Sequence, residues 1–224
     1  EALVRWQHPQ RGLVPPYDFV PVAEEAGLII PIDRWVLRRA CRDVREWQKK
    51  FPDGERLTIS VNLSGKQFAH PDLVDVIRGA LGDSGLPAPS LNVEITEGVL
   101  IDNTSAAGAM LGEMRKLGAK IYLDDFGTGY SSLSYLQRFP IDAVKIDRSF
   151  VMRMGAKGEN SEIVSAIVSL AQSLKMKVIA EGVETQDQLG ALRNLKCSHG
   201  QGWLFSKPIS HDDAGVLLGQ DKRW

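Results

Sequence analysis

The chain has 224 residues, of which 43% are hydrophobic and 25% are charged, and its formal net charge is -1 at pH 7. This length suits one large domain, and the near-zero charge excludes a global field that would attract polymeric nucleic acid or an anionic membrane. No apolar run approaches the roughly 18 residues of a membrane span, and the two distant cysteines, Cys41 and Cys197, indicate reduced thiols in a cytoplasmic compartment.

Apolar runs of strand length alternate with amphipathic helical patterns. Strands are predicted at residues 2–6, 57–63, 91–95, 119–123, 143–146, 177–180 and 198–204. Apolar residues spaced three and four apart predict helices at 31–51, 72–81, 104–117, 161–174 and 186–195. Helix starts are signalled at 102–104 and Thr185, and helix ends at Gly85 and Gly118.

This alternation favours a mostly parallel sheet covered by helices, which is an α/β fold. A closed (β/α)8 barrel of the TIM type has eight strands, so one strand is missing from the seven predicted here. The alternative is an open doubly wound sheet, which would normally carry a glycine-rich phosphate turn after its first strand. The chain has no such turn after residues 2–6, and we therefore expect the TIM-like barrel.

Polar side chains recur at or near the C-terminal ends of the predicted strands. They are Glu1, Asn62, Glu94, Asp124, Asp125, Lys145, Glu181 and Gln201. In a barrel these ends converge on one mouth, where active sites of this fold lie. One such acid is most often a helix cap or a salt-bridge partner, but so many polar groups cannot all be caps. Oxygen donors without histidine or cysteine suit Mg²⁺ or Mn²⁺.

The adjacent carboxylates Asp124 and Asp125 stand at the end of an apolar strand and precede a glycine-rich turn. Two neighbouring carboxylates repel each other, and a bound cation would remove that cost. A pair of metal ions with a bridging carboxylate suits hydrolysis of a phosphodiester. Lys145 can orient the attacking water, although a solvent-facing lysine is the alternative interpretation.

Several short motifs together resemble the EAL domain family of bacterial phosphodiesterases that hydrolyse cyclic di-GMP. They are Glu1-Ala2-Leu3, Ser60-Val61-Asn62-Leu63-Ser64, Glu94-Ile95-Thr96-Glu97, the run from Asp124 to Leu133, Lys145-Ile146-Asp147, Glu181-Gly182-Val183-Glu184 and Gln201-Gly202. Each motif is weak alone, but their order and spacing are specific. The resemblance implies that residues 1–224 form one EAL phosphodiesterase domain that cleaves cyclic di-GMP to linear pGpG.

The resemblance also implies roles for individual residues. Ligands of a first Mg²⁺ or Mn²⁺ ion would be Glu1, Asn62, Glu94 and Asp124. Asp124 and Asp125 would bind a second ion, with Glu181 close by or coordinating through water. Lys145 would activate the nucleophilic water, which makes Lys145, Glu181 and Glu1 the catalytic residues. Substrate-binding residues would be Leu3, Arg5 and Gln201. A regulatory loop over residues 126–133, which includes Phe126, Gly127, Thr128 and Gly129, would be held by Glu97.

Two departures from the family pattern affect these expectations. Trp203 stands where the family usually has tyrosine, and the sequence starts at the naming motif, without the helix and first barrel strand that normally precede it. We therefore expect an N-terminally truncated barrel cut from a longer parent protein, which could carry a membrane anchor. The family also implies a homodimer and an upstream sensor or GGDEF domain.

Two other functions are compatible with an EAL-like chain. One is a receptor that binds cyclic di-GMP without cutting it, and the other is a scaffold for protein interactions. Degenerate receptors lose acids or the lysine, whereas this sequence retains Glu1, Asn62, Glu94, Asp124, Asp125, Lys145 and Glu181. The enzyme is therefore the favoured interpretation.

Overall fold

The computed structural model of the chain describes residues 1–51, 53–102, 104–129, 133–154 and 161–220. The chain divides into two compact units. The first unit contains Glu1–Ile95 and Gly112–Lys120, and the second contains Thr96–Leu111 and Ile121–Trp224.

The first unit begins with an antiparallel hairpin of β1 (Trp6–His8) and β2 (Gly12–Val14). Its further elements, in chain order, are α1 (Pro16–Glu25), α2 (Ile29–Lys50), a 3-10 turn (Gly54–Arg56), β3 (Ile59–Asn62), α3 (Gly65–Phe68), α4 (Leu73–Ser84), a 3-10 turn (Ala88–Ser90) and β4 (Leu91–Thr96). A proline is favoured at the first position of a helix because its missing N–H has no intrahelical partner there, and Pro16 begins α1 in this way. Gly85 ends α4 at a φ of 69°, as the sequence predicted.

Strands β3 and β4 pair in parallel within the first unit. Their register pairs Ile59 with Leu91 and Asn62 with Glu94. The long helix α2 packs its apolar face against β3. The predicted strand 2–6 is wrong beyond its start, since only Ala2 forms a parallel bridge, to Val61. After Ala2 the chain leaves the sheet and folds into the hairpin of β1 and β2.

The second unit contains four parallel strands in the order β5, β6, β7 and β8. The elements from residue 97 onward are α5 (Glu97–Asp102), α6 (Thr104–Leu117), β5 (Lys120–Phe126), α7 (Leu133–Arg138), β6 (Ala143–Ile146), α8 (Arg148–Met152), α9 (Ser161–Ser173), β7 (Lys177–Ala180), α10 (Gln186–Asn194), β8 (His199–Gly200) and α11 (His211–Gly219). Helix α6 contributes its first half to the second unit and its second half to the first. Strand β8 is much shorter than the predicted run 198–204.

Strand β6 is buried along its whole length, which is typical of a parallel strand covered on both faces. The start of α10 is fixed by a capping box, in which the Thr185 hydroxyl accepts from the Gln188 N–H and the Gln188 side chain accepts from the Thr185 N–H.

Among the described residues, no helix combines the length and apolar character needed to cross a bilayer.

Candidate active site

The two aspartates at the end of β5 are brought together by a β-bulge. The pairing of β5 with β6 shifts between Leu123 and Phe126, so that Asp124 and Asp125 both stand opposite Lys145. Successive side chains of a regular strand point to opposite faces, and an inserted residue breaks that alternation. Asp125 has a φ of 53°, a left-handed conformation that aspartate adopts more readily than most residues. Consequently both carboxylates reach one cluster.

Lys145 lies at the centre of this cluster. Its side chain is 1% exposed, and its Nζ lies 2.6 Å from Glu181 Oε1 and 3.2 Å from Asp124 Oδ1. The solvent-facing alternative for this lysine is therefore wrong. A buried ammonium beside two carboxylates lowers the repulsion between them and fixes their positions.

Glu181 reaches the cluster because the backbone after β7 turns sharply at glycine. Gly182 has a φ of 70°, and a Cβ there would lie 2.7 Å from Arg148 Cβ. A Cβ on Gly202 would lie 2.2 Å from the carbonyl oxygen of Val183. The two glycines thus permit close backbone packing directly beside Glu181 and Gln201.

Asp124, Asp125 and Glu181 each offer a carboxylate oxygen, and these oxygens lie within 4.8 Å of one another. Asp124 Oδ1 is buried and accepts no hydrogen bond, despite its proximity to the Lys145 ammonium. A buried acceptor without a hydrogen bond carries a desolvation cost that a cation would remove. The all-oxygen donor set suits Mg²⁺ or Mn²⁺, so the residues of this cluster fit a hard divalent ion.

The electrostatics of Asp125 reflect the crowding of acids. Desolvation raises the pKa of Asp125 above its ordinary value, and the carboxylates of Asp124 and Asp147 raise it further. The positive charges of Lys145 and Arg148 oppose this increase. An additional cation at the cluster would favour the ionised form of Asp125.

The predicted regulatory loop packs against Glu97. The Thr128 hydroxyl donates to the Asp125 carbonyl over 2.9 Å, which closes the turn after β5. A Cβ on Gly129 would lie 3.3 Å from Glu97 Cδ. Glu97 is 8% exposed, and within the described part of the chain neither of its carboxylate oxygens has a hydrogen-bond partner. Gly127 has a φ of 99°. Residues 130–132 of the predicted loop lie outside the described residues.

The first unit brings together the other predicted ligands. Asn62 Nδ2 donates to Glu1 Oε1 over 2.7 Å, and Asn62 is the register partner of Glu94. Glu94 is 1% exposed, whereas Glu1 and Asn62 are accessible to solvent. The Ala2 N–H donates to the Ser60 carbonyl over 2.9 Å, which fixes Glu1 beside the end of β3.

The predicted substrate-binding residues lie beside these ligands in the sequence. Leu3 is 41% exposed, and the Arg5 guanidinium donates to the carbonyl of Val4 over 2.8 Å. Gln201 follows β8, and its N–H donates to the Ala180 carbonyl over 2.8 Å. The backbone of Gln201 is therefore tied to the residue immediately before Glu181.

Asp147 and Arg148 lie at the start of α8, close to the acidic cluster. Asp147 accepts from the Ser149 N–H over 3.0 Å and caps α8, so the helix-cap interpretation holds for this acid. Arg148 follows it, contributes positive charge near Asp125 and lies against Gly182. No motif in the sequence singles out Arg148, since its role depends on the packing of α8.

Comparison with known proteins identifies relatives across most of the chain. The family model described as the EAL domain matches residues 1–208. The chain is 48% identical to the cyclic di-GMP phosphodiesterase NbdA of Pseudomonas aeruginosa over 93% of this chain and 26% of NbdA. It is 44% identical to the cyclic di-GMP phosphodiesterase PdeR of Escherichia coli over 93% of this chain and 31% of PdeR. The chain thus spans less than a third of the length of these two relatives.

A solved structure of the PaMucR phosphodiesterase in complex with c-di-GMP is also similar. The TM-score is 0.90 and the sequence identity is 43%, and the match covers 95% of this chain and 85% of the PaMucR chain. The similarity therefore extends to the three-dimensional structure of nearly the whole chain.

Proposed function

The chain belongs to the EAL domain family, whose fold is a TIM-like α/β barrel, and we propose that it hydrolyses cyclic di-GMP to linear pGpG. The family and the fold class agree with the predictions from sequence. The observation that carries the proposal is the buried Lys145 between Asp124 and Glu181, because a receptor or scaffold has no need of this costly arrangement. We propose residues 1–224 as one catalytic domain.

The proposed cofactors are two Mg²⁺ or Mn²⁺ ions. Their proposed ligands share oxygen donors and are Glu1, Asn62, Glu94, Asp124, Asp125 and Glu181. Such ions, when bound, supply Lewis-acid activation of water and of the phosphodiester. The buried, hydrogen-bond-free Oδ1 of Asp124 supports this assignment.

Lys145 has two proposed roles. Its ammonium holds the carboxylates of Asp124 and Glu181 in place at 3.2 Å and 2.6 Å. It also orients the attacking water by donating a hydrogen bond, and its positive charge offsets charge that develops on the phosphate. Glu181 and Glu1 complete the proposed catalytic set, and their carboxylates would bind and orient the metal ions.

Substrate recognition is assigned to residues beside the ligands. Arg5 supplies positive charge for a phosphate, Leu3 supplies an exposed apolar surface, and Gln201 supplies an amide. A guanidinium matches the geometry of a phosphate, which supports Arg5 as a phosphate-binding residue. Because the net charge of the chain is only -1, an anionic ligand must be held by such local positive charge. Cyclic di-GMP is the proposed ligand, and polymeric nucleic acid is not.

Regulation and context are also proposals. The proposed regulatory loop includes residues 126–129 and is held by Glu97, which is supported by the packing of Gly129 on the buried Glu97 carboxylate. We propose a homodimer, a cytoplasmic location for this domain, and an upstream sensor or GGDEF domain in the parent protein. The relatives are longer than this chain, which is consistent with additional domains.

A test with Glu1→Ala separates enzyme, receptor and scaffold. Hydrolysis and nucleotide binding are measured for the wild type, for Glu1→Ala and for Glu55→Ala, which removes an exposed acid of the same unit. We expect Glu1→Ala to lose at least about 10-fold in metal affinity or activity, because a ligand is removed, and Glu55→Ala to behave as wild type. Tight binding of cyclic di-GMP by the wild type without turnover would favour the receptor, and neither activity would favour the scaffold.

A further inference from the structure

A carboxylate on α2 is buried away from the proposed ligands. Asp33 is 7% exposed, and its Oδ2 accepts from the Ser64 N–H over 3.0 Å and from the Ser64 hydroxyl over 2.6 Å. Aspartate is rarely buried without a cationic partner, and within the described residues Asp33 forms no ion pair. Such a group requires an explanation.

The stability of the fold does not provide that explanation. Desolvation raises the pKa of Asp33 above its ordinary value, and the nearby charge of Glu24 adds to this increase. The hydrogen bonds from Ser64 lower the pKa but do not outweigh burial. Ionisation of the buried Asp33 carboxyl at neutral pH therefore costs free energy that the hydrogen bonds from Ser64 only partly offset.

Ser64 defines the turn that follows β3, two residues after the proposed ligand Asn62. Its hydroxyl donates to Asp33 and accepts from the Gln67 N–H over 3.2 Å, which caps α3. The preceding Leu63 N–H donates to the Glu94 carbonyl over 2.9 Å. The backbone after Asn62 is thus held on one side by β4 and on the other by Asp33.

We propose that Asp33 is a positioning residue, which fixes the Ser64 turn and thereby aims the Asn62 amide at Glu1 and at a metal ion. This inference rests on the proposed function, since it assumes that Asn62 is a ligand. Hydrogen bonds to an ionised acceptor are shorter and stronger than neutral ones, which gives a carboxylate an advantage over an amide here. Loss of a group that orients a metal ligand typically lowers metal affinity by about 10- to 100-fold.

The next residue of α2 supports the same segment from its far end. Arg34 Nε donates to Gln67 Oε1 over 3.1 Å, and Arg34 Nη2 donates to Asp72 Oδ1 over 2.7 Å. Two consecutive residues of α2 therefore hold α3 at both of its ends. Of these two residues of α2, Asp33 contacts the residue that is nearer to Asn62 in sequence, so Asp33 is the position to test.

The experiment measures Mn²⁺ binding without nucleotide, and amide hydrogen exchange over residues 62–68 in metal-free protein. The variants are Asp33→Ala, Asn62→Ala, the double variant, and Val44→Ala as a control for lost stability, because Val44 is a buried residue of α2 with 1% exposure. We expect Asp33→Ala to weaken Mn²⁺ binding about 10-fold and to accelerate exchange at 62–68. Val44→Ala should do neither.

The double variant decides whether Asp33 acts through Asn62. Residues that act as one unit give non-additive effects, so the double variant should bind Mn²⁺ as Asn62→Ala does alone. Asp33→Asn, whose amide oxygen can still accept from the Ser64 N–H, should recover part of the affinity. Additive losses in the double variant, or wild-type exchange and affinity in Asp33→Ala, would overturn the inference. Mn²⁺ binding by a wild type that lacks hydrolysis would instead contradict the proposed function and leave this test intact.

Discussion

Replacing Lys145 by methionine removes the buried positive charge of the acidic cluster while keeping an unbranched side chain of similar length. In the metal-free protein the carboxylates of Asp124, Asp125 and Glu181 then face one another without the ammonium that separates them. Their oxygens lie within 4.8 Å, a distance at which two unit charges repel by about 3.5 kcal/mol at an effective dielectric constant of about 20. Removing one partner of a buried ion pair typically costs about 3 to 5 kcal/mol.

Lys145→Met should therefore lower the free energy of unfolding by about 3 to 5 kcal/mol in EDTA, which corresponds to a Tm lower by roughly 10 °C in a domain of this size. Thermal unfolding with and without Mg²⁺ provides the assay. Because the lysine charge competes with a cation for the same carboxylates, Mg²⁺ should raise the Tm of the variant more than that of the wild type. Turnover should fall by about 10²- to 10⁴-fold even at saturating metal.

Lys177→Met is the matched control, since Lys177 is an exposed lysine of β7 and its replacement makes the same change in charge. It should retain the wild-type Tm, metal response and turnover. A Lys145→Met protein with wild-type stability in EDTA would refute the electrostatic reasoning. Unchanged turnover would refute the assignment of Lys145 to catalysis.

Three further predictions concern other parts of the chain. Gly202→Ala should destabilise the protein by more than about 2 kcal/mol, because a Cβ there would lie 2.2 Å from a backbone oxygen. Gly190 lies in a helix with open space around it, so Gly190→Ala should stabilise the protein by about 0.5 to 1 kcal/mol. Urea unfolding measures both changes. Asp33 has a raised pKa in the folded state, so its contribution to stability is fully present below about pH 3.9 and is lost as the pH rises through the folded pKa. Asp33→Asn should therefore gain stability relative to wild type between about pH 4 and pH 7, and a constant difference would contradict this. Asp125→Asn should weaken Mn²⁺ binding and reduce the measured stoichiometry from two ions to one in calorimetry, while two ions of unchanged affinity would remove Asp125 from the ligand set.

The regular elements were predictable where the local pattern was strong. Strands 143–146 and 177–180 and helix 104–117 have the bounds that the sequence indicated. Their signals are continuous apolar runs and apolar residues spaced three and four apart, which depend on local sequence alone. Gly118 ends its helix with a φ of 91°, as a C-terminal glycine is expected to do.

The short elements were not predictable from periodicity. Helices α3, α7 and α8 have four to six residues, which is too few for a helical repeat to be recognised. Only Ala2 of the first apolar run pairs with the parallel strands, because the chain then turns into a hairpin held by interactions at its tip. His8 Nδ1, which accepts from the Gln10 N–H over 3.1 Å, is one of these interactions.

In the candidate site, the sequence indicated which residues take part but not how the fold brings them together. Residue types and their order indicated Asp124, Asp125 and Lys145, but a regular strand would direct two adjacent aspartates to opposite faces. The bulge that brings them to one lysine is visible only in the pairing of β5 with β6. Asp33 is 31 residues from Ser64 in sequence, so its hydrogen bonds give no local signal.

The most direct test of the central claim is the conversion of cyclic di-GMP by the purified chain, with products separated by chromatography in Mg²⁺, in Mn²⁺ and in EDTA. We expect linear pGpG to accumulate with either metal and EDTA to abolish its formation. Formation of pGpG at the same rate in EDTA, or binding of cyclic di-GMP without any cleavage in Mn²⁺, would contradict the proposed metal-dependent hydrolysis.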